Sequence, residues 1–309
     1  MTCVSTRAQV RPIDTTELDA GLIHVGAFRC PVSRPEFHEH VPTRGYCFVF
    51  PRRAVWIEQD GHPAFVADAN VVPLYNPSRP YRRRAIGGQP DSTDWFGVAP
   101  GLLREMVAAL EPHLQDADDV LFRRTHVAAP AGLYLAQRLV FDRLRTGACD
   151  ALYVEEQGIA LLADVLQRVH GGPFPSLNQR AAHRALAEDA RALVAMAVDR
   201  PLRLSTLART LCVSPFHLSR VFKASVGVSI QQYRSQLRLR RSLELLAGGD
   251  RDVLDIAVAL GYSSHSHFTR AFRASYGMVP SQYRTVRRKR GQGMPAKMRS
   301  RYSAYSSSL

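Results

Sequence analysis

The 309 residues predict an α+β protein, with an antiparallel β sandwich or barrel first, helices after it, and an all-α module at the end. Three observations carry that expectation. Short β-prone runs recur between Tyr46 and Val98, helical periodicity replaces them from Leu102 onward, and the last third repeats itself at a spacing of about 50 residues.

The β-prone runs are YCFVF, AVWIE, AFVAD, NVVPLYN and DWFGV, broken by Pro, Gly and Asp about every ten residues. Such spacing suits antiparallel strands in a sandwich or barrel. Apolar residues then recur at helical intervals in three sets: Leu102, Leu103, Met106, Val107 and Leu110; Leu133, Leu135, Leu139 and Leu144; and Ile159, Leu162, Val165, Leu166 and Val169. The segment Gly171-Gly172-Pro173-Phe174-Pro175 cannot continue a helix or a strand, so it marks a boundary.

Charge shifts at the same place. Residues 1–180 hold 19 Lys/Arg against 20 Asp/Glu, whereas residues 181–309 hold 22 against 7. A near-neutral part joined to a strongly basic one fits a sensing or partner-binding domain attached to a binder of polyanions.

The repeat explains itself position by position. Leu207 to Lys223 (LARTLCVSPFHLSRVFK) aligns with Ile256 to Arg273 (IAVALGYSSHSHFTRAFR), with one extra residue in the second turn. Gly227, Tyr233 and Arg234 then match Gly277, Tyr283 and Arg284. In the first copy Leu207, Ala208 and Leu211 give a short apolar face, Ser214 is a good N-cap and Pro215 suits the first helical position. Leu218, Val221 and Phe222 would seal the next helix against the first. Phe216, Ser219, Arg220 and Lys223 are left outward. In the second copy Ile256, Ala257 and Leu260 form the inner face, Gly261 allows the turn, Ser264 caps, and Phe268, Ala271 and Phe272 point inward. His265, Ser266, Thr269, Arg270 and Arg273 remain outside, with His265 expected to be exposed and His267 to pack inward. Each copy reads as a helix-turn-helix whose second helix offers base-reading and phosphate-binding side chains. A breaker-free helix, Tyr233 to Leu246, joins them and ends at Gly248-Gly249.

These residues resemble the AraC/XylS family of bacterial transcription regulators. The second unit and its exit, Gly261 to Arg284, resemble the family signature almost throughout, and the likeness spans roughly Glu188 to Val286, including RLRRSLELL in the linking helix. Ser242 and Met278 are small departures from the family pattern. The resemblance implies a cupin-like barrel for effector binding and dimerisation over residues 1–172, a linker at 173–182, a DNA-binding domain of two helix-turn-helix units at 183–286, and a basic, Ser-rich flexible tail at 287–309. It further implies a cytoplasmic, homodimeric regulator of transcription that binds double-stranded DNA, senses a small-molecule effector of unknown class and, if an activator, contacts RNA polymerase. No membrane-spanning run is present in the sequence.

In the first part, Phe37 to His40 (FHEH) is similar to the H-x-H of metal cupins, yet no histidine stands near Pro77 to Arg84 to complete a ligand set, so no metal and no cofactor are expected. His38, His40 and Phe48 are the weak candidates for effector contact. Arg82, Arg83 and Arg84 should alternate on a strand, the middle one pointing away from the other two. Cys3, Cys30, Cys47, Cys149 and Cys212 are scattered and make neither a disulfide framework nor a zinc-thiolate site. The clustered four cysteines of a DNA-repair methyltransferase fused to such a module are lacking as well. No nucleophile or phosphate-loop motif appears, so catalytic residues are none and the chain is not expected to be an enzyme. The alternative from another class is a metal-dependent cupin enzyme fused to a DNA-binding module.

Overall fold

A computed structural model describes residues 14–38, 41–111, 120–147, 149–170, 181–248 and 251–288. The first half is built on two antiparallel sheets. The larger runs β1 (Asp14–Asp19), β2 (Ile23–Cys30), β9 (Asp91–Val98), β4 (Tyr46–Pro51), β7 (Val71–Tyr75) and β10 (His126–Ala128), in that order across the sheet. The smaller runs β3 (Val41–Pro42), β8 (Pro80–Ala85), β5 (Val55–Gln59) and β6 (Phe65–Ala67). The expected cupin-like barrel is therefore not closed: no ladder of hydrogen bonds joins the two sheets among the described residues.

Among the described residues four helices accompany this half: α1 (Pro35–His38), α2 (Pro100–Leu110), α3 (Ala131–Arg145) and α4 (Ala151–His170). The larger sheet is covered on both faces, which is why β7 is buried at every position. Strand alternation sorts its side chains between the two layers. Phe48, Phe50 and Phe96 share an apolar core with Phe141 of α3 and Leu161 and Leu162 of α4, while Val49 and Tyr75 pack with Val55, Ile57 and Phe65 between the sheets. Phe48 and Phe50 thus face helices, and Val55 and Ile57 face the other sheet; they do not line one common pocket.

The second half is helical. It comprises α5 (Ala181–Met196), α6 (Leu204–Thr210), α7 (Pro215–Val226), α8 (Ile230–Ala247), α9 (Val253–Ala259), α10 (His265–Tyr276) and α11 (Pro280–Arg288). Tyr233, Leu243, Phe268 and Tyr283 belong to the same apolar cluster as Phe48 and Phe141, so one core runs through both halves. The expected linker falls largely on residues 171–180, outside the described residues, as do His40 and the tail beyond Arg288.

Candidate nucleic-acid interface

Both turns fold by the same local chemistry. The Ser214 side chain accepts from His217 N at 3.1 Å to cap α7, and Ser264 accepts from His267 N at 3.1 Å to cap α10. Each of these helices ends on a left-handed glycine, Gly227 at φ 83° and Gly277 at φ 71°. The turn itself also needs a left-handed residue. Gly261 supplies it in the second unit at φ 73°, and Cys212 adopts the same region at φ 54° in the first. Matching hydrogen bonds follow, Val213 N to Ala208 O at 3.0 Å and Tyr262 N to Ala257 O at 2.9 Å.

The inner faces are sealed as the spacing required. Leu218, Val221 and Phe222 are buried on α7, and Phe268 and Phe272 on α10. On the opposite face of α7, Phe216, Ser219, Arg220 and Lys223 are all exposed, Phe216 by 78%. On α10, His265, Ser266, Arg270 and Arg273 are exposed. Thr269 is not fully outside: it is half-buried and its hydroxyl is enclosed without a hydrogen-bond partner. His267 departs from expectation too, being exposed while its ring packs on Tyr262 at 5.4 Å.

The effector candidates are not brought together. His38 stands at the end of α1, not on a strand, exposed and hydrogen-bonded between Nε2 and the Val32 carbonyl at 2.9 Å. Phe48 is wholly buried and stacked on Phe96 at 5.0 Å. Among the described residues no three or more His, Cys, Asp or Glu come together in a way that could hold a metal ion. Arg83 is buried while Arg82 and Arg84 are exposed, as strand alternation demands; it lies 3.7 Å from Asp91 and over the Phe28 ring at 4.5 Å.

Sequence reasoning missed the polar network that fixes the helical module to the sheets. The Tyr233 hydroxyl, on α8, donates to Asp68, and Arg191 Nε on α5 donates to that hydroxyl at 2.8 Å. Burial pushes the Tyr233 phenol far above its usual range, so it stays protonated as a donor. Arg240, buried on α8, donates to the Asn70 side chain and to the Ala129 carbonyl. The matching tyrosine of the second unit, Tyr283, donates to Asp142 Oδ2 on α3 at 3.0 Å. Below it, Asp94 is fully buried among Arg29, Arg52, Arg138 and Arg145, within 4 Å of each. Burial alone would raise the Asp94 pKa, but these guanidiniums, Arg52 and Arg138 foremost, hold it below the usual carboxylate range. The available signal was Arg138 and Asp142 within the largely apolar run LYLAQRLVFD, since ions on a buried helical face must be paired.

Residues 207–285 match the family described as a helix-turn-helix domain. The HTH-type transcriptional regulator ArgR of Pseudomonas aeruginosa is 30% identical over 147 residues, 48% of this chain and 38% of its own length. Regulatory protein SoxS of Escherichia coli K12 is 31% identical over 82 residues, 26% of this chain and 77% of its own. A solved structure of a transcriptional regulator with AraC-type DNA-binding domains, from Chromobacterium violaceum, is 28% identical, covering 36% of this chain and 100% of that one at a TM-score of 0.33. The chain spans between a third and two fifths of the length of the first curated relatives it matches. No helix among the described residues is long and apolar enough to cross a membrane. The doubled helix-turn-helix, its signature residues and the match to most of SoxS together establish that the chain belongs to the AraC family of helix-turn-helix transcriptional regulators.

Proposed function

We propose that this chain is a sequence-specific DNA-binding regulator whose second half inserts α7 and α10 into successive major grooves, while the first half senses a small molecule and pairs two copies. One observation carries the DNA reading: Arg220 and Arg270 hold equivalent places, exposed on helices whose opposite faces are sealed by Leu218/Phe222 and Phe268/Phe272. Successive major grooves lie about 34 Å apart on one face of a duplex, and α8 fixes the separation of the two units. A groove arginine can bind guanine O6 and N7 together, worth about 1–3 kcal/mol of discrimination, whereas one on phosphate adds affinity without sequence choice. Exposed Phe216, near the start of α7, suits contact with a thymine methyl.

Lys223 and Arg273, one turn further along, are assigned to phosphates; Arg270 faces the DNA at either a base edge or a phosphate. Ser219, His265, Ser266 and Thr269 complete the proposed surface, Thr269 by a rotation that frees its hydroxyl. Arg220→Ala is expected to weaken operator binding by roughly 10- to 100-fold with less effect on scrambled DNA. Lys223→Ala and Arg273→Ala are expected to weaken both and to flatten the salt dependence. Gel-shift titrations at two salt concentrations check this, and a folded Arg220→Ala protein with full operator affinity would refute the assignment. The metal-dependent cupin enzyme draws no support from the placement of His38.

A further inference from the structure

A space open to a small molecule lies between the two halves of the chain. A crevice of about 300 Å3 is walled on one side by Arg52, Arg53 and Ile86 of the β half, and on the other by Met196, Leu237, Arg241 and Glu244 of the helical half. It shares Arg52, Arg53 and Glu244 with an adjoining chamber of about 280 Å3 that Arg138 and Arg145 also line. Positive charge exceeds negative around that chamber. Four guanidiniums converge on Asp94, and Asp142 adds a second carboxylate 3.5 Å from both Arg138 and Arg145. Arg53 pairs with Glu244 across the crevice at 3.4 Å, bridging the two halves. Arg241 makes no ion pair among the described residues; burial and then the nearby Arg53 oppose its charge, and Glu244 and Asp199 offset them only in part, so its pKa is lowered. Asp68, Asp199 and Glu244 also border the crevice, against Arg52, Arg53, Arg200 and Arg241; the carboxylates would oppose a purely anionic occupant, so a head group has to sit at the Arg53 and Arg241 end. The apolar wall of Ile86, Met196 and Leu237 is where an uncharged body would lie.

We infer that this crevice binds a small organic anion, with a carboxylate or phosphate head among the arginines and an apolar body along Ile86 and Leu237. The inference rests on the effector-sensing reading above and gives it a place and a chemistry. A head group there would compete with Glu244 for Arg53 and relieve the crowding between Arg53 and Arg241. Arg53 belongs to the turn between β4 and β5, whereas Arg241 and Glu244 lie on α8, the helix that separates the two recognition helices. Occupancy therefore acts on the seat of α8 against the sheets.

The test uses the full chain with three probes of similar body: phenyl phosphate, phenylacetate and the uncharged 2-phenylethanol, at constant ionic strength. Expected is a saturable rise in melting temperature of about 2 °C at ten times Kd for one or both anions and none for the alcohol, the better anion naming the head group. Arg53→Gln and Arg241→Gln, both at partly exposed positions, should each abolish the rise while melting near the parent. A rise that survives in both variants, an equal rise with 2-phenylethanol, or no saturable rise with either anion overturns the crevice as the site. Operator affinity measured with and without the bound anion judges the other reading separately: an anion lost on Arg241→Gln that leaves operator affinity unchanged supports the site and overturns its role as an effector site.

Discussion

The two helix-turn-helix units obey the same local rules but stand on different supports. Serine caps, left-handed turns and glycine stops recur in both, yet α7 of the first packs on α5, whereas α10 of the second packs on α3 of the sheet-bearing half. The first unit is tied down through ions: Tyr233 reaches Asp68 and Arg191, and Arg240 reaches Asn70. The second is held by a ring cluster, Phe272 touching Phe268, Tyr276 and Tyr283, with the Tyr283 hydroxyl on Asp142. A sequence repeat thus sets local shape, and the surroundings decide what each copy is fastened to.

The largest expected effects come from the equivalent core phenylalanines, both fully buried. Phe272→Ala should cost about 4 kcal/mol and Phe222→Ala about 3, because Phe272 has three ring neighbours and Phe222 has one, Tyr233. Denaturant unfolding of both variants reads this out, and a costlier Phe222→Ala would reverse the comparison. The paired tyrosines come next. Tyr233→Phe removes two buried hydrogen bonds at once, leaving Asp68 Oδ2 without its hydroxyl donor and Arg191 Nε without its acceptor although Asp68 Oδ1 keeps Asn70 N and Arg191, for about 2 kcal/mol, while Tyr283→Phe removes one hydrogen bond to an aspartate that keeps Arg138 and Arg145, for about 1 kcal/mol. Equal losses would mean that the two fastenings are alike. The smallest effects lie in the turns. Cys212→Gly should stabilise by up to about 1 kcal/mol by relieving a left-handed non-glycine residue, and Gly261→Ala should destabilise by about 1–2 kcal/mol. An added Cβ at Gly261 would meet Arg238 Nη2 at 2.6 Å, and that guanidinium is held by the Val198 carbonyl at 2.7 Å. Thermal melts that move in the same direction for both substitutions would show that the turns are not equivalent.

Much of this was legible in the sequence, and the boundary of legibility is physical. The repeat placed both recognition helices, their caps and their sealed faces because those depend on neighbours within a few residues. Strands β4, β5, β6, β7 and β9 were announced by apolar runs between turn residues. By contrast, β1 and β2 lie outside those runs, and His38 lies at the end of the short helix α1. Closure into a barrel also could not be read from spacing, since it depends on which strands pair. Arg138 and Arg191 do meet Asp142 and Glu188 at helical spacing, but Asp94, Tyr233 and Asn70, which tie Arg138, Arg191 and Arg240 to distant elements, lie at sequence separations of 44, 42 and 170 residues, beyond any periodic signal.

Tyr233, Leu237, Arg240 and Glu244 fall three or four residues apart along α8, so one stripe of that helix faces the sheets and the crevice. An α-helix turns about 100° per residue. Inserting one residue after Tyr233 would swing Arg240 and Glu244 out of the stripe and rotate the second unit by the same angle about the helix axis relative to the first. Docking and DNA spacing thus share a single helical phase. Length changes in α8 would be tolerated only near whole turns, three or four residues at a time.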